Sequence, residues 1–189
     1  MSRHRSPFSR TAPRPGNGYH VRVKRLLVLV LLASPAACGD VTREGPLPAS
    51  DTNPLDAEEG TLLAAVNDLR LKAGVAPVTQ CVALNTAASV HSDDMRDRVY
   101  LSDTSPDGTT ARTRLCDAGY QPACDNAALA ELVGSGLEGG TATLGQWQTT
   151  KSEILLSPSL KVAGVGRSLG GDVPRWTLDL AGEDHPSCK

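Results

Sequence analysis

Along residues 61–72, apolar side chains fall at positions 62, 63, 66 and 69, the three-and-four spacing of one helix face. Gly74 and Pro77 end that run. A second helix is predicted over 81–99, with Leu84, Ala87, Ala88, His91 and Met95 inward and Asp93, Asp94 and Asp97 turned mainly away. Residues 110–118 can form a short helix closed by Gly119, and 141–156 read as a helix with Leu144, Trp147 and Ile154 inward. Strand patterns appear at 127–133, 161–169 and 175–180, the last two joined by a Gly-Gly-Asp-Val-Pro turn. Helices come first and strands gather late, which predicts an α+β domain with an antiparallel sheet.

The 189-residue length suits one domain plus a tail. Charge divides the chain unevenly. Seven of the 19 basic residues and none of the 21 acidic ones lie in residues 1–37. The remainder therefore carries twelve cations against 21 anions, a net charge of −9. Such a body offers no basic face for nucleic-acid phosphates, and it is repelled by anionic membrane surfaces.

The basic start leads through Arg22, Lys24 and Arg25 into an apolar run and then Ser34-Pro-Ala-Ala-Cys38. That order is the pattern of an export signal over 1–37, although the leader is long for one. The apolar stretch 26–37 has 12 residues, about 18 Å as a helix against a hydrocarbon core of about 30 Å. It is too short to span. Ala36-Ala37-Cys38 resembles a bacterial lipoprotein signal, which implies an acylated Cys38 as mature N-terminus; Pro35 departs from the usual aliphatic residue. Residues 38–59 are rich in Pro, Gly and acids, and they read as a disordered tether. The expected localisation is outside the cytoplasm, either in the cell envelope on a lipid anchor or secreted.

With Cys38 set aside, four cysteines remain, and an exported chain with an even remainder suggests two disulfides. Three pairings are open. The favoured one joins Cys116 to Cys124 in a short loop and Cys81 to Cys188, pinning the C-terminus to a helix start. No Cys-x-x-Cys spacing marks a structural zinc site.

Four segments, taken in order, carry a family resemblance. They are Leu63-Ala-Ala-Val-Asn67-Asp-Leu-Arg70 with Gly74-Val-Ala-Pro77; Ala88-Ser-Val-His91-Ser-Asp-Asp-Met95 followed by Ser102-Asp-Thr-Ser-Pro-Asp-Gly108; Ala130-Glu131-Leu-Val-Gly-Ser-Gly136; and Trp147 with Ile154-Leu155, Pro158 and Ala163-Gly-Val-Gly166. Trp176 to Gly182 resembles the closing strand. Together they resemble the CAP superfamily (cysteine-rich secretory, antigen 5 and pathogenesis-related proteins) in its bacterial branch. The resemblance covers residues 60–182 and leaves 183–189 as a tail. It implies an α-β-α sandwich around a central antiparallel sheet.

It also implies a surface cavity which, in many members, holds two His and two Glu and in some of them a divalent metal. Most of that set is altered here. The first His position carries Asp103, the Glu is kept as Glu131, and the second His position carries Lys151-Ser152. Glu153 and Glu138 are the other acids within reach, and neither aligns cleanly. The expectation is a degenerate cavity with no metal and no cofactor, in which Asp103 caps a turn and Glu131 pairs with Lys151. His91 is expected as a satisfied core histidine, and His185 as exposed. No Ser-His-Asp arrangement and no G-x-S-x-G elbow is present.

Three readings of function follow. The first is a non-catalytic, exported binding module, monomeric and held to the membrane through a lipid anchor only. Its partner would be a small apolar ligand such as a lipid, a peptide or a protein. The second is a metal-dependent hydrolase or protease with a rebuilt carboxylate cavity. The third is a structural, partner-docking module.

Overall fold

The computed structural model describes residues 54–136, 138–171 and 173–189. The leader and Cys38 lie outside the described residues.

Helix α1 (Ala57–Lys72) starts four residues earlier than its apolar pattern. Asp56 is the reason. Its carboxylate accepts from the Glu58 and Glu59 amides, and the Glu59 side chain accepts from the Asp56 amide, a reciprocal capping box. Residues 57–59, expected in the tether, therefore belong to the domain.

Strand β1 (Thr79–Gln80) leads into α2 (Val82–Asp97), followed by α3 (Ala111–Asp117) and α4 (Gln121–Cys124). Then come β2 (Leu129–Ser135), α5 (Gly140–Gln148), α6 (Ser152–Leu155), β3 (Val162–Arg167) and β4 (Arg175–Ala181). A 3₁₀ turn, Pro186–Cys188, ends the chain. The single helix expected over 141–156 is two: Lys151, with a non-helical backbone, separates α5 from α6.

The sheet order is β1-β3-β4-β2. The three longer strands are antiparallel, as expected. The two-residue β1, which has no period long enough to read, adds a parallel pair at the edge.

The two faces of the sheet have different chemistry. Leu132, Val165 and Leu178 lie side by side on one face and join Leu62, Val66 and Trp147 in the larger core. On the other face, Glu131–Asp179–Gly164 and Val133–Thr177–Gly166 form two cross-strand rows. Here α2 lies directly on the backbone. A Cβ at Gly164 would sit 2.2 Å from the Leu84 carbonyl carbon, and one at Gly166 would sit 2.2 Å from the Ser89 nitrogen. Ser92 Oγ uses this approach to donate to Gly166 O and to share a second hydrogen bond with the Thr177 hydroxyl, both at 2.9 Å. The result is the expected sandwich, with α1 and α5 on one side and α2 and α3 on the other.

Two motif residues explain themselves structurally. Arg70, fully buried, donates to the carbonyls of Ala76, Leu155 and Leu160, and Asn67 exchanges two hydrogen bonds with the backbone of Val78. Both disulfides form in the favoured pairing, Cys81–Cys188 and Cys116–Cys124. The first pins the C-terminal tail to the start of α2, as expected: Cys188 is buried, and Tyr120 donates to Glu183 O at 2.7 Å. His185, expected as exposed, is half-buried and caps the 3₁₀ turn. Among the described residues, no helix is long and apolar enough to cross a membrane.

Candidate functional site

The three residues at the family cavity positions do converge. Asp103, Glu131 and Lys151 line one cavity of about 250 Å³, with Trp147, Leu132 and Val133 as its apolar wall. A neighbouring depression of about 480 Å³ shares Asp103 and Glu131. Strand β2 aims Glu131 toward α2, the α5–α6 break presents Lys151, and the loop after α2 carries Asp103.

The expected ion pair between Glu131 and Lys151 is not the one that forms. Arg114, from α3, places one terminal nitrogen 2.8 and 2.9 Å from the two Glu131 oxygens. The same nitrogen donates to Asp103 O at 2.6 Å. The other terminal nitrogen donates to Ser105 Oγ and Thr109 O. Arg114 thus ties the loop to β2, and both partners of the pair are buried. Lys151 remains at the solvent-exposed mouth. Turn capping also differs from expectation. Ser102 Oγ accepts from the Thr104 amide and Asp107 from the Thr109 amide, whereas the Asp103 carboxylate accepts only the Thr104 hydroxyl, at 3.3 Å.

His91 is the satisfied core histidine expected, and it also touches the site. Its Nε2 donates to Ser102 O at 2.9 Å and lies 3.3 Å from Glu131 Oε1. Burial, reinforced by the Arg114 charge, lowers its pKa to about 4, so the ring is neutral at pH 7. Beyond His91 and Arg114, a groove of about 400 Å³ opens between α2 and α3 along Ala87, Val90 and Ala118.

Asp179 completes the cluster. It is 1% exposed and opposite Glu131 in the β2–β4 register. Burial first, and the Glu131 carboxylate second, push its pKa well above the ordinary 3.8. Glu131 is raised by burial and pulled back by Arg114. Asp179 faces Glu131 with neither of its oxygens hydrogen-bonded among the described residues, so burial and the neighbouring carboxylate oppose its ionisation while Glu131 is paired with Arg114.

This arrangement does not fit a divalent metal. Both oxygens of Glu131 accept from a guanidinium, and the neighbouring cavity residues are an acid, Asp103, and a lysine, Lys151. Among the described residues, no three His, Cys, Asp or Glu side chains converge to hold a metal. Nor is Glu131 a free general base, because its lone pairs face Arg114, His91 and Asp179.

Sequence reasoning missed Arg114 and Asp179. Asp179 had a signal: it is the one charged residue inside the apolar strand Trp176-Thr-Leu-Asp-Leu-Ala181. Arg114 had none beyond lying on the short helix after the loop.

The family model described as "CAP: Cysteine-rich secretory protein family" matches residues 63–180. No curated protein sequence matched the chain. Among solved structures, the chain is similar to an outer surface protein from Borrelia burgdorferi, at TM-score 0.59 and 17% identity, over 68% of this chain and 95% of that one. It is also similar to an extracellular protein containing an SCP domain from Bacillus anthracis, at TM-score 0.57 and 21% identity, over 70% of this chain and 45% of that one. A cysteine-rich secretory protein from Staphylococcus aureus aligns at TM-score 0.50 and 15% identity, over 69% of this chain and 41% of that one. The chain thus spans nearly all of the Borrelia protein and under half of the other two. At these identities the likeness is one of fold.

Proposed function

This chain belongs to the CAP, or cysteine-rich secretory protein, family, and from that membership we propose that it is an exported, lipid-anchored binding module without catalytic chemistry. The observation that carries this reading is the engagement of Glu131. The carboxylate that the resemblance places in the family cavity is held by Arg114 at 2.8 Å, with His91 3.3 Å away and Asp179 opposite it in the sheet. It holds the cavity's shape rather than offering a base or a ligand. What remains is a mixed polar and apolar concavity bordered by Val133, Asp103 and Lys151, and the more apolar groove along Ala87, Val90 and Ala118 offers the surface that a small apolar ligand or a peptide needs.

Export is supported by the basic-apolar-small leader, by two disulfides, and by likeness to proteins described as outer surface and extracellular. Anchoring is supported by Ala36-Ala37-Cys38 and the Pro- and acid-rich stretch after it.

The test is a native mass spectrum of the mature chain, made in an oxidising compartment and purified without chelator. A co-purifying species of lipid-like or peptide mass is expected. A stoichiometric divalent metal, lost in Asp103→Ala, would overturn the reading and make the cavity a metal centre. A bare polypeptide would leave a protein as the partner, to be sought by crosslinking.

A further inference from the structure

One end of the domain gathers apolar side chains that the fold does not use. Leu169 is 64% exposed, Val173 39% and Val99 79%. Leu169 and Val173 lie in the connection from β3 to β4, at the end of the sheet where β2 also finishes. A Cβ at Gly136, just after β2, would meet Val173 Cγ1 at 3.9 Å. Helix α2 runs in the same direction as β3, with Leu84 over Gly164 and Ala88 over Gly166, so it too ends here. Arg96 in its last turn donates to Leu169 O at 2.7 Å. Val99 follows directly, at φ +54°. A β-branched residue is an outlier in that left-handed region, where a helix end ordinarily has Gly or Asn. Nothing inside the domain offsets the strain, because the Val99 side chain is outside.

The chain enters the domain at this same end. Asp56, the cap of α1, accepts from Arg167 Nε at 2.6 Å, and Glu59 accepts from the Arg167 amide at 2.8 Å. Arg167 is two residues before Leu169. Helix α1 then runs away: Arg70, near its far end, bonds Leu160 O, just ahead of the start of β3. The residues from Gly39 to Leu55 can span at most about 60 Å. A lipid on Cys38 would therefore be joined to the domain through a tether that enters at this end.

We infer that the end of the domain carrying Val99, Leu169 and Val173 is a membrane-facing surface that docks on the lipid bilayer. This rests on the lipid-anchor reading above. The contact is apolar. Three arginines at this end are taken by carboxylates, Arg96 by Asp93 and Asp97, Arg98 by Asp94 and Asp107, and Arg167 by Asp56, and Arg175 at the start of β4 is the fourth. Docking should therefore proceed on zwitterionic lipid and change little with salt. Three side chains bind weakly alone, but a tether of this length supplies an effective concentration in the millimolar range.

The test uses the full chain, matured from its leader and reconstituted in phosphatidylcholine vesicles with brominated acyl chains. Native Trp147 and Trp176 are buried, so a tryptophan added at the surface reports separately. Leu169→Trp probes the docking end. Leu71→Trp is the control, equally exposed at 59% in the last turn of α1, at the far end of the domain. The expected result is a blue-shifted L169W indole, quenched by bromolipid at least roughly twice as strongly as the L71W indole. Equal quenching of the two would overturn the inference. The mass of the mature N-terminus reads the anchor separately. Should Cys38 prove unacylated, the anchor reading fails, and coupling the Cys38 thiol to a maleimide lipid restores the tether at the same atom. The comparison of the two variants then decides the docking surface on its own.

Discussion

Glu131 and Asp179 face each other across β2 and β4, 2% and 1% exposed, at directly paired positions of the antiparallel ladder. Two acids so placed resist ionising together, and burial with the Glu131 charge pushes Asp179 well above its ordinary pKa.

Asp179→Asn should preserve the fold and change its pH dependence. Between the ordinary 3.8 and its raised folded value, Asp179 keeps a proton that the unfolded chain has lost. Stability therefore falls as pH rises through that window, with a slope of about 1.4 kcal/mol for each pH unit crossed. Asn has no such slope. Urea unfolding at pH 5 and pH 8 should show the variant gaining on the native chain at the higher pH; a constant difference would mean that Asp179 is ionised in the fold.

Arg114→Met should cost about 3–5 kcal/mol, because it strands Glu131 as an uncompensated buried charge. Adding Glu131→Gln should recover part of the loss. The double variant should exchange amide protons faster in residues 103–109, whose carbonyls at Asp103 and Thr109 lose their donor. Additive losses in the two single variants would rule out the pairing.

His91 should resist protonation until about pH 4. From 6.5 down to 4 the unfolded chain binds a proton that the folded one does not, so stability falls as pH falls across that window, by about 2–3 kcal/mol. Ring chemical shifts read the protonation directly. His91→Gln should flatten the acid limb of the stability curve.

Two glycine substitutions should act in opposite directions. Gly166→Ala drives a Cβ into the backbone of α2 and should cost about 3 kcal/mol or more. Gly145→Ala, exposed in α5 with nothing within 4 Å of the new carbon, should stabilise by about 0.5–1 kcal/mol. Thermal unfolding of each variant measures both.

The disulfides should differ in worth and in reactivity. Cys81–Cys188 closes a separation of 107 residues and Cys116–Cys124 one of 8, which on chain-entropy grounds gives about 5 and about 2.5 kcal/mol. Cys124 is exposed while Cys81 is buried. Mild reductant should open the short loop first, with the fold retained, since Arg112 still ties α3 to the carbonyls of Ala123 and Ala127. Peptide mapping after limited reduction checks the order.

The elements that were legible are those whose signal is local. The apolar spacing of α1 and α2, the β-forming residues of β3 and β4, and the ordered motifs through Asn67, Arg70, His91, Glu131 and Trp176 predicted the sandwich. The cavity positions Asp103, Glu131 and Lys151 were also placed together in advance. Boundaries were lost where a side chain overrode the pattern, as Asp56 did by capping α1 early.

The amino-acid order by itself determined the family, the two long helices α1 and α2, and the longer strands, because each follows from residue type at fixed spacing. Tertiary structure alone decided which cation answers Glu131. Arg114 and Lys151 lie 17 and 20 residues away along the chain, and only the packing of α3 against β2 brings one into contact and leaves the other at the rim. It also decided that Asp179 resists ionisation, since a carboxyl's charge state depends on the water and the neighbours that folding removes or supplies.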